Sequence, residues 1–272
     1  MLKQTLLAFT VLGIAGSAAA ADITNPFFLP KSLHMASTTS AQYGKTAVKG
    51  KNWGASIQQY SKALTEELKF GILDNLSVIG NIEKNWVKAK DRETGIEGKD
   101  KNDLNWAAGL AWNILDCKTK LQLSSVYGQD APSGQDYLFQ YHRYQPDQGT
   151  YKYFDTELKA GYQFKTFLPY VSFNVHSPVG QTAMNRRTKW NYGGKVGVYQ
   201  GKCSVWALDT ALDLQFDRQT HSRYLSAEAE ASYYLTKNTA VGIYGSYMLD
   251  GKQKDQVDLY NKTVGARLRL YF

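Results

Sequence analysis

The stretch Val264 to Phe272 constrains the fold more than any other. Val264, Ala266, Leu268, Leu270 and Phe272 share one parity, while Gly265, Arg267 and Arg269 share the other. A β-strand sends successive side chains to opposite faces, so this segment has one apolar face and one charged face. The pattern recurs upstream. Trp206, Leu208, Thr210, Leu212, Leu214 and Phe216 alternate with Ala207, Asp209, Ala211, Asp213 and Gln215. Leu225, Ala227, Ala229, Ala231, Tyr233 and Leu235 alternate with Ser226, Glu228, Glu230, Ser232 and Tyr234. Trp106, Ala108, Leu110, Trp112 and Ile114 form a third apolar face, with Asn105 and Asn113 opposite.

Read with that period of two, the chain yields about twelve strand candidates. They fall near 33–44, 54–70, 76–88, 104–115, 119–128, 151–164, 169–177, 189–199, 203–217, 222–235, 239–249 and 258–272. Most approach the ~9–11 residues that a tilted membrane-crossing strand requires. The links alternate in length. Short ones lie at 71–75, 115–118, 165–169, 201–202 and 236–238. Longer polar ones lie at 45–52, 89–103, 129–150, 177–188 and 250–257, and the link at 218–221 is a brief exception. One segment reads two ways. Tyr60, Leu64, Leu68 and Phe70 share a parity, but Lys62 and Glu66 sit among them, and 63–68 also fits a helical turn. The hairpin that follows needs a partner, so a strand is expected there.

Residues 1–21 read as a secretory signal peptide. Lys3 gives the positive start, Leu6 to Ile14 the short apolar run, and Ser17 to Ala21 the small residues at the cleavage site. The apolar run is shorter than the roughly 20 residues of a spanning helix. Residues 22–272 then form one unit, opened by the Pro-punctuated stretch Thr24 to Pro30, which is expected near the periplasmic rim. Alternating strands carry no long apolar run, so both a soluble barrel and a membrane barrel fit the hydropathy; the soluble form would put its apolar face inside. Nineteen Tyr, eleven Phe and six Trp, mostly at strand ends, suit the aromatic girdles of a membrane barrel.

The terminal strand resembles that of bacterial outer-membrane β-barrels, whose assembly machinery recognises a final Phe preceded by alternating apolar residues. The resemblance implies an all-β, transmembrane, antiparallel up-and-down barrel of about twelve strands, with Phe272 as the assembly signal. Short periplasmic turns, long outer loops and an even strand number fit the same picture. It also implies the barrel-assembly machinery, outer-membrane lipid and lipopolysaccharide as partners. Net charge is +8. The basic residues scatter through loops where acids intervene, without a basic stripe interleaved with stacking aromatics. Anionic lipopolysaccharide is therefore the expected counterpart rather than nucleic acid.

The expected lumen-facing set is rich in charge. Asp155, Glu157, Asp209, Asp213, Glu228 and Glu230 supply acid; Lys159, Lys195, Arg267 and Arg269 supply base. An acidic wall from the strands of Asp209, Asp213, Glu228 and Glu230 would face the arginines and set up a transverse field in a pore. A lumen filled by salt bridges fits the same residues. Cys117 and Cys203 fall at periplasmic turns, and an oxidising compartment would allow one bridge. Four strands separate them, on the order of 20 Å across a round barrel, so pairing requires a turn folded over the mouth.

Asn174, His176, Ser177 and Asn191 are the enzyme candidates. Outer-membrane phospholipases use His, Ser and Asn at the outer rim, with His and Ser two apart on one face. Here they are adjacent, so they begin on opposite faces. Asp155, Asp217 and His221 lack the local motifs of omptin proteases. No phosphate-binding loop or metal-ligand cluster appears, so no cofactor and no enzyme activity are expected. The expected function is passive passage of small hydrophilic or charged solutes through a narrow lumen. A non-conducting structural or adhesive barrel is the first alternative, and a rim hydrolase using His176 the second.

Overall fold

In the computed structural model, the chain closes into an antiparallel β-barrel of twelve strands. The structure describes residues 22–50, 56–91, 95, 97–130, 151–179, 190–201, 205–218, 221–253 and 257–272. The expected signal peptide, residues 1–21, lies outside them. The strands are β1 (Met35–Gly50), β2 (Ser56–Leu73), β3 (Leu76–Asp91), β4 (Glu97–Asp116), β5 (Thr119–Asp130), β6 (Tyr151–Tyr162), β7 (Phe167–Pro178), β8 (Asn191–Gln200), β9 (Trp206–Asp217), β10 (Ser222–Thr236), β11 (Thr239–Gln253) and β12 (Val257–Tyr271). Each pairs with its chain neighbour, and β1 pairs with β12 to seal the wall. Closure leaves no free strand edge, which is the condition for a sheet to cross lipid.

The seam shows how the alternating pattern is used. Thr38 lies opposite Arg269, Ser40 opposite Arg267, and Gln42 opposite Gly265, all on the lumen side. Thr39 opposite Leu268, Ala41 opposite Ala266 and Tyr43 opposite Val264 share the outer side. Large apolar groups point outward and remain exposed: Ile243 at 68%, Val196 at 63%, and Leu110, Trp112, Phe173 and Leu212 at 45% to 53%. A soluble barrel would bury them. Apolar outside and polar inside is the radial sense of a membrane barrel.

The strands at the outer end run past the expected bounds. The expected loop 89–103 is largely strand, since β3 continues to Asp91 and β4 begins at Glu97, with Lys90 opposite Glu97. Likewise β1 reaches Gly50, and β11 and β12 consume most of 250–257. Charge on both faces reads as loop in a sequence. Beyond the bilayer, however, water solvates both faces of a ladder, so charged residues do not end the strand. The segment 63–68 is strand, as expected, and its Lys62 and Glu66 face outward with Leu64 and Leu68.

Residues 22–34 do something a rim segment would not. They turn back into the barrel at the end that holds both termini. Ile23, Phe27 and Leu29 are buried there. Phe27 packs with Leu168, Tyr170, Tyr199 and Ala207; Ile23 packs with Ala36, Ala240 and Tyr271. Gly71 makes the crossing possible. A Cβ at that position would stand 2.0 Å from the Lys31 carbonyl oxygen, so only a residue without a side chain lets the entering chain pass over β2. The crossing is tied by Leu33 N–H to the Gly71 carbonyl at 2.8 Å and Gly71 N–H to the His34 carbonyl at 2.9 Å.

Candidate functional site

The polar interior is built from the inward parity of the strands. All ten expected lumen residues lie on it, and neighbouring strands bring most of them into contact. Lys195 of β8 reaches across β9 to Glu228 of β10 at 2.6 Å. Lys159 meets Glu157 at 3.3 Å. Asp209 accepts from the Tyr170 hydroxyl at 2.9 Å, and Asp213 from the Gln215 amide at 2.7 Å. Asp155 meets His176 Nδ1 at 2.5 Å.

The arginines depart from the facing-wall arrangement. Arg267 and Arg269 of β12 fold across β11 and ion-pair with Glu230 of β10. Gly242 on β11 leaves the space: a Cβ there would lie 3.1 Å from a Glu230 carboxylate oxygen and 2.7 Å from Ser232 Oγ. The Arg267 guanidinium also sits over the Tyr244 ring, 3.9 Å from its centre. The charges thus neutralise one another along one wall instead of opposing one another across open water. Sequence parity placed these groups inside but could not show that long side chains bridge two strands.

A cavity of about 320 Å³ remains beside this wall, lined by Gln42, Tyr170, Lys195, Asp209, Glu228, Glu230 and Arg267, among others. It presents both signs of charge and several hydroxyl and amide groups. At about 30 Å³ per liquid water, it has room for roughly ten.

Below the cavity lies the N-terminal segment. The Tyr199 and Tyr234 hydroxyls both donate to the Asp22 carboxylate, the latter at 2.9 Å. Thr24 Oγ1 sits 2.7 Å from the Tyr199 hydroxyl and 2.9 Å from that of Tyr234. On the opposite wall, Asn113 and Gln122 each donate to the Phe27 carbonyl at 3.2 Å, and Lys159 donates to the Pro26 carbonyl at 3.2 Å. The segment is therefore fastened to β4, β5, β6, β8 and β10, from one side of the lumen to the other. These functional residues were missed in the sequence. Their signal was inward-parity tyrosine among polar residues, as at Tyr234, together with the prolines that keep 24–30 out of the sheet.

At the outer rim, the Tyr153 and His176 rings pack against each other, tilted, with centres 4.8 Å apart. Ser177 lies opposite Phe154, on the outward face, while His176 lies opposite Asp155 on the inward one. The serine and imidazole are thus on different sides of the wall. Asn174 shares the inward side and exchanges hydrogen bonds with Gln215 at 3.2 and 3.3 Å. Cys117 is exposed at its turn, its thiol 3.4 Å from the Thr119 carbonyl. Cys203 lies outside the described residues, as does the proposed pairing. Phe272 exchanges backbone hydrogen bonds with Met35 at 2.7 and 2.9 Å, closing the seam at its inner end.

No family model matches the chain, and no curated protein does. Solved structures do match. An outer-membrane channel from Pseudomonas putida has a TM-score of 0.65 at 10% identity, covering 95% of this chain and 100% of its own. The NanC porin has a TM-score of 0.51 at 9% identity, covering 85% and 98%. The translocator domain of the autotransporter NalP from Neisseria meningitidis has 0.50 at 11%, covering 86% and 87%. At these identities the likeness is one of fold. Joined to the closed wall and its exposed apolar belt, that fold makes the chain a multi-pass β-barrel of the bacterial outer membrane.

Proposed function

We propose that the protein is a narrow channel for passive passage of small hydrophilic or charged solutes, with the segment 22–30 as its constriction at the periplasmic end. The observation that carries this reading is the polar cavity of about 320 Å³, lined by Lys195, Arg267, Asp209, Glu228 and Glu230. A lumen lined by alternating charge and hydroxyl groups can exchange hydration shells with a solute, and ion pairs along the wall leave it without strong preference for one sign. The porin and channel among the structural neighbours support the same reading. Enzymatic activity forms no part of it, since Ser177 and His176 face opposite sides.

A second reading is a non-conducting structural barrel. It is favoured by the fastening of Asp22, Thr24 and Phe27 to opposite walls. Single-channel recording of the refolded protein in a planar bilayer separates the two. Discrete conductance steps, with a shift toward cations in Arg269→Glu, support a channel lined by that wall. A silent bilayer from protein with heat-modifiable gel mobility assigns the barrel to the structural reading.

A further inference from the structure

The outer surface of the wall gathers three lysines at one level where lipid should meet it. Lys262 of β12 and Lys45 of β1 are direct cross-strand partners on the outward face. On β2, Tyr60 is the next residue in that row, and Lys62 lies one diagonal step away, itself opposite Tyr43 and Trp86. Lys62 and Lys262 are exposed. Lys45 Nζ sits 5.3 Å from the Tyr60 ring centre, and Tyr43 stacks on Tyr60 at 6.4 Å.

Like charges directly opposite one another destabilise a sheet. Direct partners stand about 5 Å apart and diagonal ones about 7–8 Å, so the three lysines spring from one small area of the wall. No ion pair relieves them among the described residues. Among the described side chains, the nearest carboxylates along these strands on this face, Asp258 beyond Lys262 and Glu66 beyond Lys62, are each four residues away, about 13 Å. The oxygens of Glu66 are already held by Ser37 and Thr39. The height of the cluster is fixed by its neighbours. Tyr43, Trp86 and Tyr260 are 41% to 51% exposed and form the aromatic girdle at the end away from both termini. That is the level of lipid headgroups in the outer leaflet.

We infer that Lys45, Lys62 and Lys262 bind the phosphate groups of a phosphorylated glycolipid in the outer leaflet, while the girdle aromatics pack on its sugar and acyl roots. The ligand supplies the negative charge that the sheet lacks. Passage of solute runs through the lumen and this face looks away from it, so the channel reading and this site fail independently.

The test uses full-length refolded barrel and its Lys45→Gln/Lys62→Gln/Lys262→Gln variant, titrated with lipid A bisphosphate in detergent and read by native mass spectrometry. Lys165→Gln/Lys237→Gln, at turns of the opposite rim, is the control, and heat-modifiable mobility confirms folding of each. At about fivefold per lysine, the triple variant should bind on the order of 100-fold more weakly, and the control should bind as the parent does. Lipid A stripped of phosphate should bind parent and variant alike. Equal binding of the bisphosphate by parent and triple variant overturns the site. Full displacement of the lipid by an equal concentration of inorganic phosphate overturns the lipid assignment in favour of a free anion.

Discussion

Thr24 Oγ1 lies 2.7 Å from the hydroxyl of Tyr199, a buried contact between residues 175 positions apart. Tyr199 is 1% exposed, so this hydroxyl has no water to fall back on. Thr24→Val keeps the shape and removes the hydroxyl. The Tyr199 hydroxyl keeps its bond to Asp22, so the cost is that of the lost hydrogen bond, about 1 kcal/mol. Expected in planar bilayers is a channel that spends more time in its larger conductance level, with unchanged ion preference. Conductance identical to the parent would mean that the segment does not narrow the path.

Gly71 and Lys31 give a second way to release the same segment. With only 2.0 Å between the Lys31 carbonyl oxygen and the position of a Cβ, Gly71→Val cannot be accommodated by a rotamer change. The strand is held by its ladder to β1 and β3, so the entering chain must yield instead. Limited proteolysis of the refolded barrel should cut within 22–34 in this variant and leave the parent whole. Strand content by circular dichroism should be unchanged.

The barrel itself was legible because membrane strands obey a strict period of two, and a single slip would turn charge toward lipid. Val264 to Phe272 carried that rule with no exception. What stayed hidden depends on contacts between residues remote in sequence. Parity puts Glu230 and Arg267 on the lumen side, but their ion pair also requires Gly242 on the strand between them. Asp22 and Thr24 form no strand, so no periodicity marks them, and parity sets Tyr234 among the inward residues without showing what its hydroxyl holds. Lys62 and Glu66 read as interruptions of an apolar face because their β1 neighbours, Tyr43 and Thr39, are set by the β1–β2 register, and Lys262 joins them only when β12 closes on β1.

Glu230 holds two guanidinium groups, with Arg269 at 13% side-chain exposure. Glu230→Gln removes the carboxylate that both guanidinium groups contact beside the cavity. Breaking a pair of this burial costs roughly 3 kcal/mol, which urea unfolding of the barrel in lipid vesicles would register as a lower midpoint. The same variant should move the reversal potential in a salt gradient toward anions. If the midpoint falls while the potential stays fixed, the wall is structural and solutes do not pass it.

Glu66 is the other exceptional carboxylate, because it faces lipid. Phe70 marks the inner girdle, and Glu66 is four residues further along β2, roughly 10 Å into the apolar belt for a tilted strand. Its two oxygens accept from Ser37 and from Thr39, the latter at 2.5 Å. In lipid those hydroxyls replace water. Thr39→Val should therefore destabilise by about 1–3 kcal/mol, since it strands one carboxylate oxygen. Removing both members should cost less, because apolar groups of similar size suit that surface. The double variant Thr39→Val/Glu66→Leu is expected within about 1 kcal/mol of the parent in a urea titration from vesicles, against a clear loss for Thr39→Val alone. Simple addition of the two single losses would show that the carboxylate serves the wall by some contact other than its hydroxyl partners.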